Sequence, residues 1–169
     1  ANVIGNNSSN GVTIATADAA ENIVVRNYIG IRPGGERIGN LQHGLEIRGS
    51  SRNVIGGSAE SAFNFISGNL GNGILIDGDN SINNRIQGNI IGLIDNEVAA
   101  VPNKNGIVIN GGSETLIGGP ATRPGSAPGN VISGNTEFGI QILPRAEFTI
   151  VQGNVIGTDR GVGEARLPN

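Results

Sequence analysis

Side chains able to do chemistry are few in this chain, and they are spread out. The densest acidic stretch is Asp77-Gly78-Asp79-Asn80, where clustered oxygens make Asp77 and Asp79 the candidate ligands for a metal, Ca²⁺ in particular. Two further acidic pairs, Asp95 with Glu97 and Asp159 with Glu164, stand in segments that match one another. With Tyr28 they outline a candidate loop edge whose contact residues are Tyr28, Asp95 and Asp159 and whose ligand class is a polysaccharide. His43 is the only histidine; it has Gln42 beside it and no serine or acid partner in view, so it is not read as catalytic. The chain has no cysteine, which removes disulfides, zinc–thiolate sites and thiol catalysis together. No cofactor beyond the possible Ca²⁺ is implied, and no constellation compels an enzymatic reading.

What must position these groups is a repeat. Residues 87–92 read QGNIIG, residues 152–157 read QGNVIG, and residues 26–30 read RNYIG. Shifting the sequence by 62 lays Gly11-Val12-Thr13-Ile14 on Gly73-Ile74-Leu75-Ile76, and Asn27-Tyr28-Ile29-Gly30 on Asn89-Ile90-Ile91-Gly92. Each unit divides again. A Gly-x-x-Ile phrase starts at Gly11, Gly44, Gly73, Gly106 and Gly139. A second phrase follows around Val24, Ile55, Ile86, Ile117 and Val151. An Asn-x-Ile phrase closes each unit at Ile29, Ile66, Ile91, Ile132 and Ile156, with Ile4 ahead of the first.

Three short phrases with period-two alternation in about 31 residues, punctuated by Gly and Asn, predict three β-strands per turn of a β-solenoid. Successive coils then stack at roughly 4.8 Å with parallel, in-register strands. Ile4, Ile29, Ile66, Ile91, Ile132 and Ile156 are expected to form one inward file, and the Gly-x-x-Ile strands a second. β-Branched side chains suit such files because their χ1 is already restricted. Gly and Asn fall at the corners, where a left-handed backbone is expected, and Asn27, Asn89 and Asn154 are expected to hydrogen-bond from coil to coil.

The coils are not identical. Odd coils carry a loop of about a dozen residues after the third strand, and even coils carry theirs before it, at residues 57–63 and 119–129. The outward positions of the third strand, Val3, Tyr28, Phe65, Ile90, Val131 and Val155, form an apolar stripe. It calls for loops folded back over it or for a partner.

Phrases such as Asn130-Val131-Ile132-Ser133-Gly134-Asn135 and Gly153-Asn154-Val155-Ile156-Gly157-Thr158-Asp159 resemble the right-handed parallel β-helix repeats of bacterial secreted and surface proteins, within the broad pectate-lyase-like superfamily. The resemblance covers essentially the whole chain and implies an all-β, single-stranded right-handed parallel β-helix at an extracellular or cell-surface location. It implies little about activity, because that superfamily holds polysaccharide lyases, hydrolases, epimerases, adhesins and stalks. Its enzymes place acids on one exposed sheet. Here the outward positions of strand one are Thr13, Glu46, Leu75, Val108 and Gln141, a single carboxylate without an acidic neighbour above or below. Strand two offers Ile23, Val54, Arg85, Leu116 and Ile150, which adds none. The expected role is therefore a structural or adhesive module, with a polysaccharide-active or glycan-binding domain as the alternative.

Bulk properties agree. At 169 residues the chain has the size of one domain, here read as residues 1–169 in a single solenoid. Its 29 Gly and 23 Asn suit a fold made of corners. A net charge of −3 with no basic run argues against a nucleic-acid partner. No apolar run approaches the roughly 20 residues of a membrane span. The sequence opens and stops part-way through a coil, so a segment of a longer array, or end-to-end or lateral self-association, is expected.

Overall fold

A computed structural model of the chain describes residues 1–94, 99–159 and 167–169. Sixteen short strands arrange themselves in three parallel sheets. The first sheet holds β2 (Val12–Ala15), β5 (Leu45–Arg48), β8 (Ile74–Asp77), β11 (Ile107–Asn110) and β14 (Ile140–Ile142). The second holds β3 (Ile23–Val24), β6 (Val54–Gly56), β9 (Arg85–Gln87), β12 (Leu116–Gly118) and β15 (Ile150–Gln152). The third holds β1 (Asn2–Ile4), β4 (Asn27–Ile29), β7 (Phe65–Ile66), β10 (Ile90–Ile91), β13 (Val131–Ile132) and β16 (Val155–Ile156). Every strand pairs with its counterpart one coil away, so this is a β-solenoid with three strands per coil. A single 3-10 turn at Glu60–Ala62 is the one helical element among the described residues.

The expected file is present. Ile4 pairs with Ile29, Ile29 with Ile66, Ile66 with Ile91, Ile91 with Ile132 and Ile132 with Ile156. Inward residues of the first and second sheets join it in one core that includes Ile47, Ile76, Ile109, Ile55, Ile86 and Ile117. At about 1.5–3 kcal/mol for each fully buried aliphatic side chain, this column supplies the main stabilisation. Coverage fails toward the last coil, where Ile142, Val151 and Ile156 are each close to half exposed.

Glycine is demanded where coils approach each other most closely. A Cβ on Gly73 would lie 2.7 Å from the Gly106 carbonyl oxygen and 2.8 Å from Ile91 Cγ2. Glycines take left-handed corners as expected, Gly30, Gly92 and Gly157 after the third strand among them, but the asparagines mostly do not. Among the described residues, Asn6 and Asn83 are the only asparagines with positive φ. Non-glycine left-handed positions are instead Glu21, Arg52, Asn83, Glu114 and Phe148, one per coil just before the second strand, together with Thr16 and Arg26. The stacked asparagines therefore serve through their amides and not through tolerance of a strained backbone.

The apolar stripe of the third sheet has two fates. Ile90 and Val131 are buried and pack with Leu93, Phe63, Phe65, Val155 and Leu167 under the loops. Gly125 lies against Val131 and Val155, so residues 119–129 form part of this cover. The two even-coil loops are tied across the intervening coil by the Ala127 N–H, which donates to Glu60 Oε1 at 3.2 Å. At the other end Val3 stays half exposed.

Candidate functional site

The most extensive polar structure in the molecule is a set of asparagine columns at the corners. Before the third strand, Nδ2 of each asparagine donates to Oδ1 of the next: Asn2 to Asn27, Asn27 to Asn64, Asn64 to Asn89, Asn89 to Asn130 and Asn130 to Asn154, at 2.8–3.0 Å. The members are set to do this because the strands that follow are in register. Their second amide hydrogens close onto carbonyls of the second sheet, as when Asn89 donates to the Ile55 carbonyl at 2.9 Å. The expected contacts of Asn27, Asn89 and Asn154 thus belong to a file of six.

A second file, Asn7, Asn40, Asn69, Asn103, Asn135 and Asn169, runs before the first strand with the same polarity at 2.7–3.1 Å. Sequence reasoning missed it. The signal was available, since Ile38-Gly39-Asn40, Val101-Pro102-Asn103 and Leu167-Pro168-Asn169 align. A third file before the second strand is short. Asn22 donates to Asn53 and Asn53 to Asn84, each at 3.0 Å. The next two places are Thr115 and Thr149, whose buried hydroxyls have no hydrogen-bond partner among the described residues.

His43 belongs to a fourth file. The residues ahead of the five Gly-x-x-Ile phrases are Asn10, His43, Asn72, Asn105 and Phe138. The His43 N–H donates to Asn10 Oδ1 at 3.0 Å, and its Nδ1 accepts from the Asn72 N–H at 3.0 Å. An imidazole accepting at Nδ1 carries its proton on Nε2 and is neutral. Burial pushes the His43 pKa below its ordinary value of 6.5, against the opposing pull of the Glu46 carboxylate. Glu46 itself was placed on the outer face of strand one. It faces outward in register between Thr13 and Leu75, yet it is almost covered and accepts from Asn10 Nδ2 at 2.7 Å. Val108 on the same outer row is also buried.

The candidate metal ligands have protein partners. Asp77 Oδ1 accepts from Asn110 Nδ2 at 2.8 Å and lies 3.4 Å from Arg145. Asp79 Oδ1 lies 3.6 Å from the same guanidinium. Both carboxylates thus converge on Arg145, a residue two coils beyond Asp77 that the sequence did not single out. No group of three or more His, Cys, Asp or Glu among the described residues is arranged to hold a metal ion.

Tyr28 lies in the uncovered part of the third sheet. Its ring stacks on Phe65 with centroids 4.9 Å apart and planes 14° from parallel. The pair lines an open cleft of about 230 Å³ with Arg26, Glu60, Ser61 and Phe63. Asp95, Glu97 and Glu164 lie outside the described residues. Asp159 follows β16, four coils from Tyr28, which is roughly 19 Å along the stack. Its Oδ1 is buried without a hydrogen-bond partner among the described residues.

No family model matches the chain, and no curated protein or solved structure is significantly similar to it. Sequence and geometry are therefore the grounds on which function rests. Among the described residues, no helix is long and apolar enough to cross a membrane.

Proposed function

We propose that this chain is a rigid structural module, a scaffold or adhesive rod of a secreted or cell-surface protein. The observation that carries this reading is the continuity of two asparagine files and one isoleucine file through every coil. Such files tie neighbouring coils together at each corner, so bending the rod means breaking several buried hydrogen bonds at once. Six strands in the third sheet correspond to a rod of roughly 24 Å. The ionic groups support the same reading. Arg52 with Glu21 and Arg32 with Glu36 are exposed ion pairs that brace corners and loops. Incubation with acidic and neutral polysaccharides tests the proposal: no cleavage is expected, and release of reducing or unsaturated ends would overturn it.

A second reading, glycan binding through the loop edge, is favoured by one feature, the stacked Tyr28–Phe65 pair beside Arg26 in an open cleft. The pair gives the cleft an apolar wall with a phenol hydroxyl, the mixed surface a sugar can meet. The resemblance to pectate-lyase-like repeats supports a polysaccharide as the ligand class. Titration with oligosaccharides should then show binding that Tyr28→Ala abolishes.

Self-association completes the proposal. End-to-end pairing of coils is one route. Lateral contact through the outer face of the second sheet, where Ile23 and Ile150 are more than half exposed, is the other. Sedimentation velocity of the wild type and of Ile23→Lys/Ile150→Lys distinguishes the two routes.

A further inference from the structure

The four corner files use asparagine wherever a side chain must accept a backbone N–H from the next coil, with one exception that can take up a proton. At the corner before the first strand, Asn105 Oδ1 accepts from the Phe138 N–H at 3.1 Å. Two file positions earlier, and so two coils below, His43 Nδ1 does the same for the Asn72 N–H at 3.0 Å. An amide oxygen accepts at any ordinary pH. An imidazole nitrogen accepts only while neutral.

We propose that His43 is a proton-operated joint in this file: a proton at Nδ1 turns the acceptor into a donor, releases the Asn72 N–H and frees the corner between the second and third coils. The surroundings suit such a joint. Gly71 sits directly against the ring, where a Cβ would lie 2.7 Å from Nδ1, so the imidazole has little room to shift while the corner stays closed. Among the described residues the carboxylate that acts on it is Glu46, on the strand that follows it, with Arg48 at 4.0 Å from that carboxylate. The positions flanking Glu46 in register, Thr13 and Leu75, carry no charge, and neither do the file neighbours Asn10 and Asn72. An imidazolium therefore has one place to turn, toward Glu46 and away from Asn72. That rotation takes the acceptor out of the file.

The linkage has a definite sign. With the folded-state proton affinity lowered by burial, the unfolded chain binds the proton more readily. The stability His43 contributes is whole above the unfolded value of 6.5 and is lost as pH falls below it toward the folded-state value.

The test is amide hydrogen exchange on the intact chain between about pH 7.5 and about pH 5, with Phe138 as an internal reference in the same file. Acidification should lower the protection of the Asn72 N–H severalfold relative to the Phe138 N–H. His43→Asn supplies an acceptor that does not titrate and should hold that ratio constant. Should the variant fold poorly, the imidazole titration of the wild type, followed by NMR, reads the same event. Titration below 6.5 coinciding with loss of Asn72 protection supports the joint. A pH-independent ratio, or an imidazole that titrates while the Asn72 N–H stays protected, overturns it.

Discussion

Two corners of the same coil solve the same problem with different success. Before the third strand, six asparagines pass one amide to the next without a break. Before the second strand, three asparagines do so and are followed by Thr115 and Thr149. Both corners are buried through the middle coils, both belong to in-register strands, and both carry small polar residues. The difference lies in reach. An asparagine has an acceptor and two donors on a planar group long enough to span adjacent coils, whereas a threonine hydroxyl is one bond shorter and finds nothing. A column of this kind is therefore as good as its least capable member, and a single change of residue type ends it.

The largest expected effect comes from cutting the complete column. Asn89 is fully buried, accepts from Asn64 and donates to Asn130 and to the Ile55 carbonyl. Asn89→Ala leaves those partners unsatisfied and should cost about 3–5 kcal/mol in urea denaturation. A loss near that of an exposed asparagine, well under 1 kcal/mol, would show that the column is incidental. The opposite change belongs to the incomplete column. Thr115→Val keeps the shape and removes a buried hydroxyl without a partner, so a gain of about 1 kcal/mol is expected. Thr115→Asn should exceed it by joining Asn84. If valine is neutral or worse while asparagine gives nothing, the reading of this corner is wrong.

Smaller still is the exposed end of the short file. Asn22 donates to Asn53 but sits largely in solvent, so Asn22→Ala should cost no more than about 1 kcal/mol by the same measurement. The smallest effect sharpens the contrast between corners and surface charge. Arg145 bridges Asp77 and Asp79 while itself more than half exposed, so Arg145→Gln should change stability by less than about 1 kcal/mol. The same variant takes the guanidinium away from both carboxylates and leaves Asp77 its Asn110 amide. If this corner takes Ca²⁺, calorimetric titration should register the ion more tightly in Arg145→Gln than in the wild type.

The repeat was legible because a solenoid is close to one-dimensional. Each residue's partner lies one period away, so matching Ile29 to Ile66 and Ile91 in the sequence already states their contact in space. Part of the candidate site was legible for the same reason: the outward row Tyr28–Phe65–Ile90 and the loops that partly cover it follow from register. The asparagine corners were legible as positions and mostly misread as conformations, since the left-handed residues before the second strand are Glu21, Arg52, Glu114 and Phe148, with Asn83 the one asparagine among them. A sequence shows which residues share a corner, but not which of them takes the strained backbone, because that choice falls where it leaves the amides in line.

By itself the sequence determined the solenoid, its three strands per coil, its register and its isoleucine file. These follow from side-chain size and period, properties written into each residue and its repeat partner. Only the tertiary structure decided that His43 stands in for an asparagine, that Glu46 is covered on an outer face, and that Arg145 takes the two carboxylates at Asp77 and Asp79. Those outcomes depend on the direction and reach of polar groups meeting across coils, and hydrogen bonds and ion pairs are decided over tenths of an ångström that no spacing of letters encodes.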